Sequence, residues 1–389
     1  MVVQIKPNTI FVSIASYRDN VCSTTIESLY STAENPKNVF VGLCQQNNNN
    51  DDQDCVNTNS PVISKYIKNI HTIRIPHFEA KGPTWARYLC STLWDGEQYY
   101  FQIDSHTKFV KGWDTKCINM INMIKNSGLS QKPVLSHYPK EYSSYENDEL
   151  NDNERYNVPR MCKSFFNKRE MLSFMGAQIM NSNKIPYNTP YLASGMFFCE
   201  SYFLNELPYD PNLDYLFVGE EILHSIRFYT NGWDIYTPYE NIIFHEYERK
   251  DKPKIWTDNP YYSDLPAFNK VKYYIGMLQE NQKNNIDKHI INNIDKYGLG
   301  KVRTLEEYYN FAGIDITNKK VYTNFCNNNN VASEDDIKNS NENKENFSNN
   351  DEGYNIIIII ILIFLVIILT VLFSPLCKNL WKKKVYNNT

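Results

Sequence analysis

Apolar residues in the first third of the chain form short runs, separated by segments with helical spacing. The runs NTIFVSIASY, NVFVGLCQQ, TIRIPHF and QYYFQID have the length and apolar content of buried strands. CSTTIESLYSTAEN places Ile26, Leu29 and Tyr30 on one face of a helix. PTWARYLCSTLW begins with Pro83, a residue favoured in the first helical turn. Strands that alternate with helices predict an α/β fold with a largely parallel sheet, and such sheets bind ligands at the carboxyl ends of their strands.

The pattern changes in the C-terminal part of the chain. An Asn-rich, acidic segment there cannot bury enough apolar surface to offset its ordering entropy, so we expect a disordered linker. The next run, IIIIIILIFLVIILTVLF, has 18 residues without a charge. At ~1.5 Å per residue it is just long enough to span a bilayer as a helix, although a buried β-rich segment is the alternative. The predicted domains are a globular domain at 1–325, the linker at 326–354, a transmembrane helix at 355–374 and a short basic tail at 375–389.

The orientation of this membrane segment is open at the sequence level. The N-terminal MVVQIKPNTIFVSIASYRD soon contains Arg18 and Asp19, so it does not read as a signal peptide. That favours a tail-anchored, single-pass protein whose globular domain is cytosolic. The lysines that follow the segment, at 378 and 382–384, favour the opposite orientation by the positive-inside rule.

Charge and cysteine usage narrow the function classes. The net charge of −4 and the isoelectric point near 6.0 give no basic surface, so nucleic acid is not expected as a partner. The nine cysteines include no C-x-x-C pair, which argues against structural zinc. In a cytosolic setting they favour reduced thiols, with a disulfide or two left open.

The end of the fourth apolar run carries candidate metal chemistry. In QYYFQIDSH, Asp104 and His106 point the same way because side chains alternate along an extended chain. A carboxylate and an imidazole together suit Mn²⁺ or a similar divalent ion, which could hold a diphosphate. An ordinary strand-to-loop junction, with Asp104 capping the next turn, explains this tripeptide equally well.

Three later stretches add candidate site residues. ASGMFF, with Ser194 and Gly195, is a small-residue turn that allows a ligand to approach the backbone closely. Glu220 and Glu221 follow a glycine at the start of an amphipathic helix, where dipole complementation accounts for one glutamate better than for two. His245 ends another apolar run and is a candidate third metal ligand.

Six blocks of the sequence together resemble glycosyltransferase family 60, which includes cytoplasmic polypeptide N-acetylglucosaminyltransferases acting on hydroxyproline or Thr. The resemblance extends from Asn8 to Asp315. It implies a GT-A-type fold, a mixed nucleotide-sugar-binding sheet flanked by helices, with a UDP-sugar donor, Mn²⁺ or Mg²⁺, and retention of anomeric configuration. D-x-H would be a variant of the D-x-D motif, shared with the mucin-type polypeptide N-acetylgalactosaminyltransferases. The blocks are IFVSIASYRD, KGPTWARYL, YYFQIDSHTKFVKGWD, ASGMFF, LFVGEEILHSIRFYTNGWDIYTP and LGKVRTLEEYYNFAGID.

The resemblance also implies roles for individual residues. Asp104, His106 and His245 would be the metal ligands. Glu220 and Glu221 would lie near the sugar and the acceptor hydroxyl, and together with Arg87 they are the expected catalytic residues. The residues expected to contact the UDP-sugar, with the uridine near the first three, are Ser16, Arg18, Asp19, Arg87, Asp104, Ser194 and Gly195.

The expected function is metal-dependent transfer of N-acetylglucosamine, or a related hexose, from a UDP-sugar to a polypeptide hydroxyl on hydroxyproline, Thr or Ser. Two alternatives remain open. Asp104, His106 and His245 are also the ligand types of a non-haem iron oxygenase, in which GPTWAR would have no role. An inactive, membrane-anchored module that binds a sugar nucleotide without turnover has the same motifs.

Overall fold

Strands and short helices alternate along most of the chain, as the pattern of apolar runs predicts. The strands are β1 (Lys6–Tyr17), β2 (Val39–Asn47), β3 (Ile70–Pro76), β4 (Glu97–Asp104), β5 (Thr107–Phe109), β6 (Pro133–Ser136), β7 (Lys140–Glu141), β8 (Asn157–Arg160), β9 (Ser164–Phe166), β10 (Leu172–Phe174), β11 (Gln178–Asn181), β12 (Tyr187–Thr189), β13 (Met196–Glu200), β14 (Asp234–Thr237), β15 (Ile243–His245), β16 (Ile314–Asp315) and β17 (Lys320–Val321). The α-helices are α1 (Cys22–Thr32), α2 (Pro61–Lys65), α3 (Pro83–Ser91), α4 (Trp113–Asn126), α5 (Asp152–Tyr156), α6 (Phe203–Glu206), α7 (Glu220–Thr230), α8 (Ile255–Asp258), α9 (Leu265–Tyr274), α10 (Ile294–Tyr297) and α11 (Leu305–Ala312). Single 3₁₀ turns lie at Pro36–Asn38, Ile67–Asn69, His77–Glu79 and Tyr142–Ser144.

The predicted linker beyond residue 326, the transmembrane helix and the basic tail lie outside the part of the chain that the structure describes. Within the described part, no helix is both long enough and apolar enough to cross a membrane. This computed structural model describes residues 4–145, 150–248, 251–259, 262–278, 291, 293–323, 325 and 326.

A mixed sheet of eight strands forms the centre of the fold, in the order β12-β14-β6-β13-β4-β1-β2-β3. β3, β2, β1 and β4 run parallel to one another. β13 is antiparallel to both β4 and β6, and β12 is antiparallel to β14. The predicted α/β class with a mixed sheet is therefore confirmed, and the carboxyl ends of β1, β2 and β4 lie at one edge.

The core explains why these strands read as almost continuous apolar runs. Central parallel strands are covered on both faces, so both sets of alternating side chains must be apolar. In β1, Phe11 and Val12 point to opposite faces, and both are buried. On one side Trp113 of α4 packs against Phe101 and Phe109, with ring centroids 5.5 and 4.9 Å away. Burial of these large side chains stabilises the strand ends that carry the polar residues.

A second, three-stranded sheet brings a distant histidine to the end of β4. Its order is β5-β15-β7, and β15 is antiparallel to β5, with His245 opposite Thr107. β5 begins only three residues after Asp104, where β4 ends. The pairing of these two short strands therefore places His245 beside Asp104 and His106.

Two disulfide bonds are present in the described part of the chain. One joins Cys22 to Cys55 and the other joins Cys162 to Cys326. The sequence favoured reduced thiols and left a disulfide or two open, and the structure realises the second alternative. The described cysteines that remain free are all buried; they are Cys44, Cys90, Cys117 and Cys199.

Candidate active site

A pocket of about 480 Å³ opens where β1 and β4 end. This is the edge at which parallel α/β sheets bind ligands. Its wall includes polar side chains at the end of the sheet and mostly apolar ones, Pro253, Ile255 and Trp256, from residues 253–256. The lining residues that matter most for the chemistry are Tyr17, Arg87, Asp104, His106, His245 and Trp256.

Asp104, His106 and His245 form one cluster in this pocket, as the sequence predicts. One potential ligand atom from each residue lies within 4.8 Å of the others. His245 Nε2 is 3.1 Å from Asp104 Oδ2, and the centroids of the two imidazole rings are 4.6 Å apart. Two imidazole nitrogens and a carboxylate oxygen suit a divalent transition-metal ion, so this donor set and its spacing fit a metal such as Mn²⁺.

Gly195 leaves the space that the Asp104 carboxylate needs. A Cβ atom at position 195 would lie 2.8 Å from Asp104 Oδ2. The Gly195 carbonyl also accepts a hydrogen bond from the Asp104 backbone N–H at 3.3 Å. The predicted small-residue turn therefore lies next to Asp104 and leaves room for the carboxylate of this candidate metal ligand.

Arg87 connects the metal cluster to α7. Its Nη2 donates to Asp104 Oδ1 at 2.8 Å, and its Nη1 donates to Glu220 Oε2 at 2.5 Å. Arg87 is only 5% exposed. A buried guanidinium that bridges two carboxylates has a fixed orientation, and here it borders the pocket.

The bridge also determines the charge of the two carboxyl groups. Burial alone would raise the pKa of Asp104, but the hydrogen bond from His245 and the charge on Arg87 hold that pKa well below its usual range. Burial raises the pKa of Glu220, and Arg87 opposes the rise. Asp104 is therefore an anion in the pocket, as a metal ligand must be.

The three residues expected to contact uridine lie outside the pocket wall. Ser16 is buried, with its carbonyl accepting a hydrogen bond from Gln46. Arg18 has a φ of 46° and is paired with Asp52 and Asp258 at 2.9 and 3.0 Å. Asp19 is buried under His106. The structure places Ala15 and Tyr17 in the wall instead.

The register of β1 against β4 explains this difference. Ala15 is directly opposite Asp104 in the parallel pair, so the two side chains share one side of the sheet. Tyr17 lies on that side as well, whereas Ser16 points to the other. The sequence contains the alternation but not the register, so it does not identify which set of residues faces the pocket.

Glu221, which follows Glu220 at the start of α7, is partly buried and has different partners. Tyr138 Oη donates to Glu221 Oε2 at 2.5 Å, and the Ser194 backbone N–H donates to Oε1 at 3.1 Å. Glu221 also borders a smaller cleft of about 180 Å³, which shares Phe217 with the main pocket. The Ser194 hydroxyl is buried and has no hydrogen-bond partner among the described residues. No local pattern in the sequence points to Tyr138, since it meets Glu221 only through the tertiary fold.

Stability is predicted to depend on the protonation of Glu221. Burial raises the pKa of this carboxyl from 4.5 to about 7, although Tyr138 and Ser194 oppose the rise. Between these pH values the folded chain holds a proton that the unfolded chain has lost, so stability falls as the pH rises. Over this range the free energy of unfolding of the wild type should fall by on the order of 2–3 kcal/mol. Glu221→Gln retains the shape of the side chain but cannot ionise, so the variant should lack this fall.

Urea unfolding of both proteins between about pH 5 and about pH 8 measures this dependence. The two curves should differ in slope, with the free energy of unfolding of the wild type falling more steeply. Parallel curves over the whole range would show that Glu221 does not hold its proton in the folded state.

A family model described as Glycosyltransferase (GlcNAc) matches residues 9–65 and 61–318. The chain therefore belongs to the Glycosyltransferase (GlcNAc) family. Its central mixed sheet agrees with the sheet type that the sequence resemblance implies.

Comparison with solved structures finds similar structures at low sequence identity. GalNAc-T7 with UDP, GalNAc and Mn²⁺ has a TM-score of 0.48 and 15% identity, covering 78% of this chain and 54% of that one. Staphylococcus aureus TarS 1–349 in complex with UDP-GlcNAc has a TM-score of 0.42 and 14% identity, covering 74% of this chain and 72% of that one. This chain therefore spans about half the length of GalNAc-T7. A search of curated proteins finds no match.

Proposed function

We propose that this protein is a metal-dependent, retaining glycosyltransferase that moves N-acetylglucosamine, or a related hexose, from a UDP-sugar to a polypeptide hydroxyl. Membership of glycosyltransferase family 60 would account for the six sequence blocks. The observation that carries the proposal is the cluster of Asp104, His106 and His245 beside a buried Arg87, at the pocket edge of the sheet. The family model supports the sugar-transfer chemistry.

Each residue of the candidate site has a proposed role. Asp104, His106 and His245 would hold Mn²⁺ or Mg²⁺, which when bound would neutralise charge on the donor diphosphate. Arg87, oriented by Glu220, would present its guanidinium to the same charge as it develops on the leaving group. Glu220 thus acts through Arg87 and is a positioning residue in this scheme. We propose that Glu221, which borders the smaller cleft, faces the sugar or the acceptor.

The proposed reaction needs no nucleophile from the protein. The bond between the anomeric carbon and the β-phosphate oxygen breaks, and the acceptor oxygen forms its bond on the same face. The departing β-phosphate accepts the proton of the acceptor hydroxyl, so the leaving UDP itself acts as the general base. The protein supplies orientation and charge stabilisation, which together account for large rate enhancements.

Aromatic side chains at the pocket mouth support a polypeptide acceptor. Phe217 and Trp256 are 57% and 49% exposed, and their ring centroids are 5.8 Å apart. Exposed aromatic pairs supply rigid apolar surface for extended peptide segments at a low entropy cost. We propose that the acceptor segment lies across these two rings, with its hydroxyl directed towards the anomeric carbon of the donor sugar.

The alternative of an iron oxygenase uses the same ligands but explains fewer contacts. It assigns no role to the Arg87 bridge between Asp104 and Glu220. The family match also favours sugar transfer. The binding-module alternative differs from the transferase only in turnover, so the experiment below separates the two.

We also propose the four-part division of the chain that the sequence predicts, with a single-pass membrane anchor at residues 355–374. A tail-anchored arrangement would leave the transferase domain in the cytosol. The disulfides Cys22–Cys55 and Cys162–Cys326, like the lysines after the anchor, are more typical of an orientation with this domain on the oxidising side. Protease protection in sealed vesicles distinguishes the two orientations.

Metal removal is the test of the proposed function. The full chain in detergent, with UDP-N-acetylglucosamine and Mn²⁺, should release UDP, and a chelator should reduce the rate by about 100-fold or more. Adding Mn²⁺ back should restore it. A parallel reaction with 2-oxoglutarate, Fe²⁺ and oxygen in place of the sugar nucleotide, followed by the consumption of 2-oxoglutarate, is the control for the oxygenase.

Three outcomes would count against the proposal. UDP release that persists in chelator would overturn the metal requirement. Donor binding without release, even with peptide acceptors, would favour the inactive binding module. Failure to bind or turn over any member of a UDP-sugar panel would overturn the donor assignment.

A further inference from the structure

Asp19 lies beneath the candidate metal cluster and is held there by hydrogen bonds. The residue is 2% exposed. Its Oδ2 accepts the Ser105 hydroxyl at 2.7 Å and lies 2.8 Å from His106 Nδ1. Its Oδ1 accepts the Val21 backbone N–H at 3.1 Å, just before α1 begins. The carboxylate is therefore fixed by the start of a helix on one side and contacts a candidate metal ligand on the other.

This arrangement determines the tautomer of His106. Both Asp19 oxygens accept hydrogen bonds, from Ser105 and from Val21, as those of an ionised carboxylate do. Since such a carboxylate offers only acceptors, His106 Nδ1 is the donor in their contact. A neutral imidazole with its proton on Nδ1 has its lone pair on Nε2. The nitrogen that can bind a metal is then Nε2, on the far side of the ring from Asp19.

His245 provides the comparison within the same cluster. Its Nδ1 is buried and has no hydrogen-bond partner in the described part of the chain. Its Nε2 contacts Asp104, and its ring packs against His106 and Tyr247, with centroids 4.6 and 4.3 Å away. The contact with Asp104 and the packing of its ring therefore orient His245. His106 is oriented instead by Asp19, a carboxylate that is not one of the three candidate ligands.

We propose that Asp19 is a positioning residue that fixes His106 as the Nδ1–H tautomer and so presents Nε2 to the metal ion. This inference rests on the metal site of the proposed function, but the tautomer can be measured without metal. Loss of such a hydrogen bond to a metal-ligating histidine typically costs about 10- to 100-fold in metal affinity. The role also explains why Asp19, expected at the uridine, is turned away from the pocket.

The first test measures the tautomer in the metal-free wild type. Nitrogen NMR of the full chain, labelled only in histidine and held at about pH 8, distinguishes protonated from unprotonated ring nitrogens. The His106 signals are identified by their absence in His106→Gln. We expect a protonated Nδ1 and an unprotonated Nε2. A protonated Nε2 in the wild type would overturn the proposal, and this measurement does not require any Asp19 variant to fold.

The second test measures Mn²⁺ affinity by calorimetry in two variants of the full chain. In Asp19→Asn the amide can donate to Nδ1, which shifts the ring proton to Nε2, so affinity should fall by about 10- to 100-fold. Asp114→Asn is the matched control, because Asp114 is also 2% exposed and accepts two backbone N–H groups, from Glu34 and Asn35. It should bind Mn²⁺ as the wild type does.

The outcomes separate this inference from the proposed function. Equal losses of affinity in Asp19→Asn and Asp114→Asn would indicate general destabilisation and overturn the positioning role. An unchanged affinity in a folded Asp19→Asn would overturn it as well. If the wild type shows the Nδ1–H tautomer but binds no Mn²⁺, the metal site of the proposed function fails, and with it the presentation of Nε2 to an ion.

Discussion

Replacement of Asp104 by Asn is expected to lower the rate of UDP release by about 100- to 1000-fold, a typical cost of removing one group that stabilises transition-state charge. The Asp104 carboxylate lies 3.1 Å from His245 Nε2 and 2.8 Å from Arg87 Nη2. Asn retains the size of the side chain but not the negative charge that a divalent ion needs. The full chain, with saturating UDP-sugar and Mn²⁺, provides the measurement.

The matched control for this experiment is Asp234→Asn. Asp234 pairs with Arg303 at 2.8 Å and does not border the pocket, so its replacement should leave UDP release at the wild-type rate. Excess Mn²⁺ should restore little of the activity of Asp104→Asn, because Arg87 also loses its charged partner. An Asp104→Asn rate close to that of the wild type would remove Asp104 from the metal site.

The second large effect concerns stability. Arg87→Met should lower the free energy of unfolding by about 3–5 kcal/mol near neutral pH, because it leaves the buried Glu220 and the partly exposed Asp104 without their cation. The distances of 2.8 and 2.5 Å show that both carboxylates depend on the same guanidinium. Urea denaturation of the full chain, followed by intrinsic fluorescence, measures the loss.

The stability lost in Arg87→Met should depend on pH through Glu220. Burial raises the pKa of Glu220, and Arg87 opposes the rise, so removing Arg87 lets that pKa increase further. The folded variant then takes up a proton more readily than the unfolded chain does, and its stability improves as the pH falls. The deficit of Arg87→Met should therefore be smaller at about pH 5 than at about pH 8.

Two further variants test the cause of the deficit. Glu220→Gln added to Arg87→Met should recover part of the lost stability, since one of the two uncompensated carboxylates is gone. Arg303→Met, which breaks a partly exposed pair with Asp234, should cost less than about 1 kcal/mol. If Arg87→Met and Arg303→Met lose similar amounts of stability, the bridge is not the stabilising element that its burial indicates.

The strands and the first two candidate metal ligands could be predicted because they depend on local pattern. Each apolar run ends where a buried strand ends, and alternation places Asp104 and His106 on one side. His245 was a candidate because it ends another apolar run, but its contact with Asp104 could not be predicted from local pattern, since the two residues are 141 positions apart in sequence. Pairing of the short strands β5 and β15 brings it there, and no periodicity in either strand is long enough to predict that pairing.

The sequence does not predict which residues at the end of β1 line the pocket. The segment SIASYRD was expected to contribute Ser16, Arg18 and Asp19, but the wall of the pocket contains Ala15 and Tyr17. The choice depends on the register of β1 against β4, which is a tertiary property. Two other contacts also depend on the tertiary fold: the disulfide Cys162–Cys326 and the hydrogen bond between Tyr138 and Glu221. Spacing along the sequence does not specify which distant groups meet.

The Cys162–Cys326 bond also determines how tension would pass through the molecule. It closes a loop with a sequence separation of 164 residues, and Glu220, Glu221 and His245 all lie inside that loop. A pull on the chain beyond Cys326 passes through the two sulfurs directly to Cys162, so the backbone between them is not stretched. While the bond is intact, these three side chains are mechanically insulated from whatever holds the C-terminal end, and reduction would add the whole loop to the path of the force.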